Sequence, residues 1–184
     1  MRIISGKYGG RSIKGKMPDG VRPTTDKSRE SLFNTLNNYI YFEGKKVLDC
    51  YAGSGLVGVE FLSRGAKHCT FIEKNHKPIS VIKQFISDIN LDKDIYSIVK
   101  SDVIAYLKKC EEKFNIIFSD APYHLETANQ IVSIVEENEL LENEGFLIIE
   151  TGADEKVNYS SKFVLVKQKL FGISKLTILE YSVS

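Results

Sequence analysis

The sequence predicts an α/β protein built on an open, doubly wound, mostly parallel sheet of seven strands. A C-terminal antiparallel hairpin ends the sheet, and a small N-terminal β-hairpin precedes it. Three observations predict this. Short apolar runs alternate with helix-patterned segments between Val47 and Glu150, as in successive βαβ units. A glycine-spaced turn, Gly53-Ser54-Gly55-Leu56-Val57-Gly58, follows the first of those runs. Two β-rich runs, Lys162 to Leu170 and Lys175 to Tyr181, are separated by Phe171-Gly172-Ile173-Ser174. That spacing suits a hairpin, so one of the two strands must run antiparallel to the rest.

The elements follow in order. Arg2 to Ser5 and Arg11 to Lys14 read as two short strands joined around Gly6 and Gly9-Gly10. A loop with Pro18, Gly20 and Pro23 then leads to a helix over about residues 26–40, with Leu32, Phe33, Leu36 and Ile40 on one face. Thr24, Thr25 and Asp26 suit its N-cap or first turn. Residues 1–43 are expected to form a basic extension, and residues 44–184 one compact sheet domain. Val47-Leu48 opens the first buried strand, and the helix after it, Leu56 to Leu62, stops at Gly65. Cys69 to Glu73 is the second strand. Asn75 can cap a helix that turns Ile79, Ile82, Phe85, Ile86 and Ile89 inward. Tyr96 to Val99 is the third strand, with a helix from Val103 to Lys109. Phe114 to Phe118 is the fourth, Thr127 to Glu137 a helix, and Gly145 to Glu150 the fifth strand.

The totals narrow the class. At 184 residues the chain suits one domain with a sizeable core. A hydrophobic content of 42% and a charged content of 27% are ordinary for a soluble protein. No apolar run approaches the roughly 20 residues that cross a bilayer, and the N-terminus lacks the apolar stretch of a signal peptide. A cytoplasmic protein without a membrane partner is expected. Cys50, Cys69 and Cys110 show no C-x-x-C spacing and read as reduced thiols, while His68, His76 and His124 are scattered; no metal site is expected. Charge is uneven. Residues 1–29 hold eight basic residues against two acids, a net +6, which leaves −5 for the remainder of a chain of net +1. Such an arm, interleaved with Ile3, Ile4, Tyr8 and Ile13, suits a phosphate-rich partner.

The glycine turn alone is ambiguous. Gly53-x-Gly55-x-x-Gly58 fits a dinucleotide fingerprint, and Glu73 lies where a ribose-binding acid would fall. The position of Asp49 shifts the balance, because Asp49-x-x-x-Gly53-x-Gly55 resembles motif I of the S-adenosylmethionine (SAM) methyltransferases. Strands one to four each finish in an acid: Asp49, Glu73, Asp102 and Asp120. Carboxylates along a ligand-binding edge favour a cationic, donor-rich ligand such as SAM over a pyrophosphate. Asp102 on its own also suits a helix N-cap.

Ser119-Asp120-Ala121-Pro122-Tyr123 resembles the (Asp/Asn/Ser)-Pro-Pro-Tyr motif of methyltransferases that act on exocyclic amino nitrogens. An exocyclic nitrogen is a poor nucleophile because its lone pair is delocalised. The Asp120 carboxylate and a backbone carbonyl of Ala121-Pro122 would take its N–H bonds, and Tyr123 would stack on an extruded base. Ala121 departs from the usual proline; Pro122 still biases residue 121 to extended geometry.

With both motifs placed, the chain resembles the bacterial RsmD family of 16S rRNA (guanine-N2)-methyltransferases. The resemblance runs through Met1-Arg2-Ile3-Ile4-Ser5-Gly6-Lys7-Tyr8-Gly9-Gly10-Arg11, Arg22-Pro23-Thr24-Thr25-Asp26-Lys27-Ser28-Arg29, Val47 to Gly55 and Phe171 to Thr177. It implies a Rossmann-like SAM-dependent methyltransferase fold, methyl transfer to the exocyclic N2 of a guanine, and S-adenosylhomocysteine (SAH) as product. The partner would be small-subunit rRNA or an assembling or assembled 30S particle, met by a monomeric enzyme. By that resemblance Asp49, Gly53 and Gly55 would hold the methionine part of SAM, Glu73 the ribose, and Asp102 with Val103 the adenine. Thr24, Thr25 and Arg29 would close over the donor or the target. The basic set Arg2, Lys7, Arg11, Lys14, Lys16, Arg22 and Arg29 would meet RNA. Competing readings are a DNA adenine-N6 methyltransferase, a nicotinamide-dependent oxidoreductase, and an rRNA-binding relative impaired by Ala121.

Overall fold

Thr25 begins the first helix by accepting a hydrogen bond from the Ser28 amide at 3.1 Å, the N-cap expected of a threonine at that place. The computed structural model describes residues 2–12, 25–122 and 127–182. Its strands make a seven-stranded sheet, in two compact units, residues 1–100 and 101–184.

In the first unit, α1 (Asp26–Leu36) precedes β1 (Lys46–Cys50), α2 (Leu56–Ser63), β2 (His68–Glu73), α3 (His76–Asp88) and β3 (Tyr96–Lys100). The strands lie in the order β3-β2-β1, all parallel, with Asp49 opposite Phe71 and Glu73 opposite Lys100. Helix α1 ends four residues earlier than its apolar pattern predicts. Asn37 is its C-cap, and Ile40 reaches the core from the turn beyond. Phe33, Phe42 and Phe61 pack edge to face with centroids 4.7 to 5.8 Å apart, which joins α1 to α2 through about 0.5–1.5 kcal/mol per aromatic pair beyond area burial.

The N-terminal arm folds back on itself as the expected hairpin does: Arg2 bridges Ser12 in antiparallel fashion, and Ile3 donates to the Arg11 carbonyl and accepts from the Gly10 amide, both at 2.9 Å. Residues 13 to 24 lie outside the described residues. Other amide donors of the arm go to α2. Ile4 and Ser5 donate to the Glu60 carboxylate at 2.8 and 3.1 Å. Lys7 donates to the Ser63 carbonyl at 2.7 Å, and Tyr8 to the Ser63 hydroxyl at 3.0 Å. The arm is therefore fastened to α2 as well as paired with its own returning segment. Gly6 makes this contact possible, since a Cβ there would sit 1.9 Å from the Ser63 carbonyl oxygen.

In the second unit, α4 (Val103–Leu107), β4 (Phe114–Asp120), α5 (Ala128–Glu137), β5 (Leu141–Gly152), β6 (Phe163–Phe171) and β7 (Ser174–Tyr181) follow in turn. Strand order is β4-β5-β7-β6. β4 and β5 are parallel; β7 runs antiparallel to both β5 and β6. Gly172-Ile173 forms the two-residue turn of the hairpin, with Gly172 at φ 61°. Apolar faces of Ile131, Val135, Leu147, Ile148, Ile178 and Leu179 fill its core.

Candidate active site

In the first unit, β1 delivers Asp49 to the base of the glycine turn. Its side chain is 1% exposed and accepts the Gly58 amide at 3.0 Å. A carboxylate on the first turn of a helix satisfies an otherwise unpaired N–H and favours the positive end of the helix dipole. Gly58 has to be glycine for that approach, because a Cβ there would lie 2.3 Å from the Phe71 ring and 2.8 Å from Asp49 Oδ2. Asp49 thus shapes the turn from beneath. Gly53 and Gly55 take φ of 54° and 76°. Among the described residues, a Cβ on Gly53 would meet only the Tyr51 carbonyl oxygen within 4 Å, so no described side chain fills the space above that residue.

Glu73, at the end of β2, ties the turn to the neighbouring strand. One carboxylate oxygen accepts the Gly53 amide at 3.1 Å and the other the Asn75 amide at 2.8 Å. Each oxygen retains a further lone pair, the acceptor capacity that a ribose diol needs. Cys69 lies in the same layer; burial, then Asp49 and Cys50, push its thiol well above the usual range, so it stays a protonated core residue.

Among the basic candidates, Arg2, Lys7 and Arg11 are exposed. Arg2 pairs with Asp26 at 3.3 Å, Arg11 donates to the Ile89 carbonyl, and both Lys7 and Arg11 lie over the Tyr8 ring. Arg29 is a correction. Its side chain is fully buried, pairs with Asp26 at 3.1 Å and Glu60 at 3.8 Å, and donates to the Arg2 carbonyl. A guanidinium so enclosed holds the arm against α2 and presents nothing to RNA. Thr25 spends its hydroxyl on the α1 cap. Thr24, Lys14, Lys16 and Arg22 lie outside the described residues.

Glu60 is the residue that sequence reasoning missed. It accepts from Ile4, Ser5 and, at 2.8 Å, Arg64 with no exposed surface. The signal was there: an acid inside the apolar run Leu56-Val57-Gly58-Val59-Glu60-Phe61-Leu62 needs a buried partner.

In the second unit, Asp102 is the N-cap of α4 and accepts the Ala105 amide at 3.1 Å, with Val103 buried beside it. Asp120 is the last residue of β4 and lies opposite Glu150 on β5. Burial, and then the like charge of Glu150, push its carboxyl up to about 7. Ala121 is buried and Pro122 exposed; Tyr123 lies outside the described residues.

This open α/β sheet, with its glycine turn after β1 and an acid at or close to the end of each of β1 to β4, is the Rossmann-like methyltransferase fold. The solved structure of yhhF from Escherichia coli superposes with a TM-score of 0.87 at 28% identity, covering 100% of this chain and 99% of that one. The ribosomal RNA small subunit methyltransferase D of Haemophilus influenzae is 32% identical over 94% of this chain and 90% of its own length. Its counterpart from Buchnera aphidicola is 34% identical over 91% and 86%. The family model described as Conserved hypothetical protein 95 matches residues 1–180. The chain belongs to that family, the RsmD family.

Proposed function

We propose that this chain transfers a methyl group from SAM to the exocyclic N2 of a guanine in small-subunit rRNA. The observation that carries the reading is Asp120, half-buried at the end of β4 opposite Glu150 and followed by Ala121-Pro122. The two relatives described above, whose names specify the ribosomal small subunit, supply the substrate class.

The residues fit SAM. The open side of Gly53 leaves room for a ligand against the backbone, and the acceptors nearby are carboxylates, which suit an ammonium and a ribose diol. Glu73 would take the ribose hydroxyls, the Gly53–Gly55 turn would cradle the methionine part, and Asp102 with Val103 would meet the adenine. Bound SAM supplies a methyl on a sulfonium, open to in-line displacement. Asp120 accepts one N–H of the guanine amine while the Ala121 carbonyl takes the other, so the nitrogen lone pair points away from both. The Asp120 carboxylate would take the amine proton as the nitrogen is methylated. Alignment and a ready acceptor account for the acceleration. Exposed Arg2, Lys7 and Arg11 contact rRNA phosphate, with residues 1–43 serving as the docking extension.

Incubation of the chain with radiolabelled SAM and unmethylated small-subunit rRNA, free and as assembled subunits, tests this. Label should enter one of the two. SAM binding with transfer to neither refutes the assignment.

A further inference from the structure

The C-terminal ribbon carries a second concentration of positive charge. Residues 156–184 contain five lysines against one acid, Glu180, which lies opposite Val164 in the ribbon, whereas residues 30–155 hold twelve basic residues against twenty-one acidic ones. β6 is the edge strand of the sheet, and Lys162, Lys167 and Lys169 on or beside it are all exposed. Beyond the bulge between Leu165 and Lys167, alternation puts Lys167, Lys169 and Phe171 on one face. Lys167 lies opposite Ile178 and Lys169 opposite Leu176, so their stems rest beside buried apolar residues while their heads reach solvent. The Lys169 ammonium sits 4.7 Å from the centroid of the Phe171 ring. At the tip, Leu170 is 64% and Ile173 81% exposed. Lys175 is committed elsewhere, donating to the Ala153 and Glu155 carbonyls.

Lysines alone on an edge strand can serve only to block strand-to-strand association. Two features exceed that role. Lys169 stands against an aromatic ring, next to the exposed Leu170 and Ile173 of the tip, the combination that pairs phosphate with base stacking. The opposite sign of residues 30–155 also means that the ribbon would draw a polyanion to this part of the unit.

We propose that the β6–β7 ribbon is an RNA-contact surface, with Lys162, Lys167 and Lys169 on the phosphates and the Phe171–Ile173 tip against an unstacked base. This rests on the rRNA reading above and adds to the N-terminal arm a second contact, borne by the unit that carries Asp120.

The test is the binding of small-subunit rRNA across a salt series by the full chain and two triple variants. In one, all three lysines become Gln; in the other, all three become Glu. Loss of three phosphate contacts should flatten the slope of log K against log salt by roughly 2–3 and weaken binding by about tenfold or more at moderate salt. The Glu variant should bind more weakly still, with SAH affinity and melting temperature unchanged in both. A purely edge-protecting role predicts instead that Glu is harmless and that only Gln aggregates. Wild-type binding matched in affinity and salt slope by both variants overturns the ribbon inference alone. A wild-type chain that binds no rRNA overturns the ribbon and the substrate reading together.

Discussion

Gly58→Ala is the substitution whose cost can be worked most fully. The added methyl would lie 2.3 Å from Phe71 Cε1, 2.7 Å from Cys69 Sγ and 2.8 Å from Asp49 Oδ2. All three neighbours belong to buried side chains of β1 and β2, so the first turn of α2 must move outward. Overpacking of this kind costs about 1–3 kcal/mol. Losing the charge-assisted bond from the Gly58 amide to Asp49 costs about 1.5–3 kcal/mol more, and better helix propensity returns about 1 kcal/mol. The net is a loss of about 2–5 kcal/mol, or roughly 4–20 °C in melting temperature for a chain of this size. The same displacement moves the Gly53–Gly55 turn, and SAH affinity should fall by about tenfold or more. Gly152→Ala is the internal control, because nothing lies within 4 Å of its added Cβ; it should be neutral or slightly stabilising. Melting curves and titration calorimetry read both effects. Gly58→Ala with wild-type melting and affinity refutes the claim that Asp49 and Gly58 together set the turn.

Four further outcomes are expected. Glu60→Ala removes the buried acceptor of the Ile4 and Ser5 amides and of Arg64, and one of the two carboxylates paired with Arg29, a change that costs about 3–5 kcal/mol; a melting temperature within about 2 °C of wild type would contradict the buried network. Asp120→Ala should abolish methyl transfer while SAH still binds, and a normal rate would remove Asp120 from the chemistry. Transfer by the wild type should rise as pH passes about 7, where the folded Asp120 carboxyl ionises. Since folding raises that acid's affinity for protons, its ionisation weakens the fold as pH rises. Asp120→Asn should therefore gain stability relative to wild type between about pH 4 and pH 7, and hold that gain above. A pH-independent difference in melting temperature would contradict the shift.

The parallel strands were legible because each is a short apolar run bounded by polar residues, rich in β-branched and aromatic side chains, and alternating with helix-patterned segments. Val47-Leu48, Phe71-Ile72 and Ile116 to Phe118 all sit in the core. The C-terminal hairpin followed from Gly172. The end of α1 was less legible, since Ile40 continues the apolar spacing although the chain has already left the helix at Asn37. Contacts distant in sequence were harder. Nothing local tells that the arm's amides find Glu60, 56 residues away from Ile4. Arg29 shows the same difficulty in charge: a formal count cannot tell a buried guanidinium from a solvated one. The lysines of β6 were hidden by averaging over residues 30–184, whose net charge is negative. Of the site, the residue types of the glycine turn and of Asp120 were readable. The proximity of Glu150 to Asp120 depends on strand register, which the sequence does not spell out.

The most direct measurement follows the label to its atom. Small-subunit rRNA methylated by the chain from labelled SAM is digested to nucleosides and resolved by chromatography. The account predicts label in N2-methylguanosine. Label in N6-methyladenosine, or in any nucleoside other than a guanosine, contradicts it.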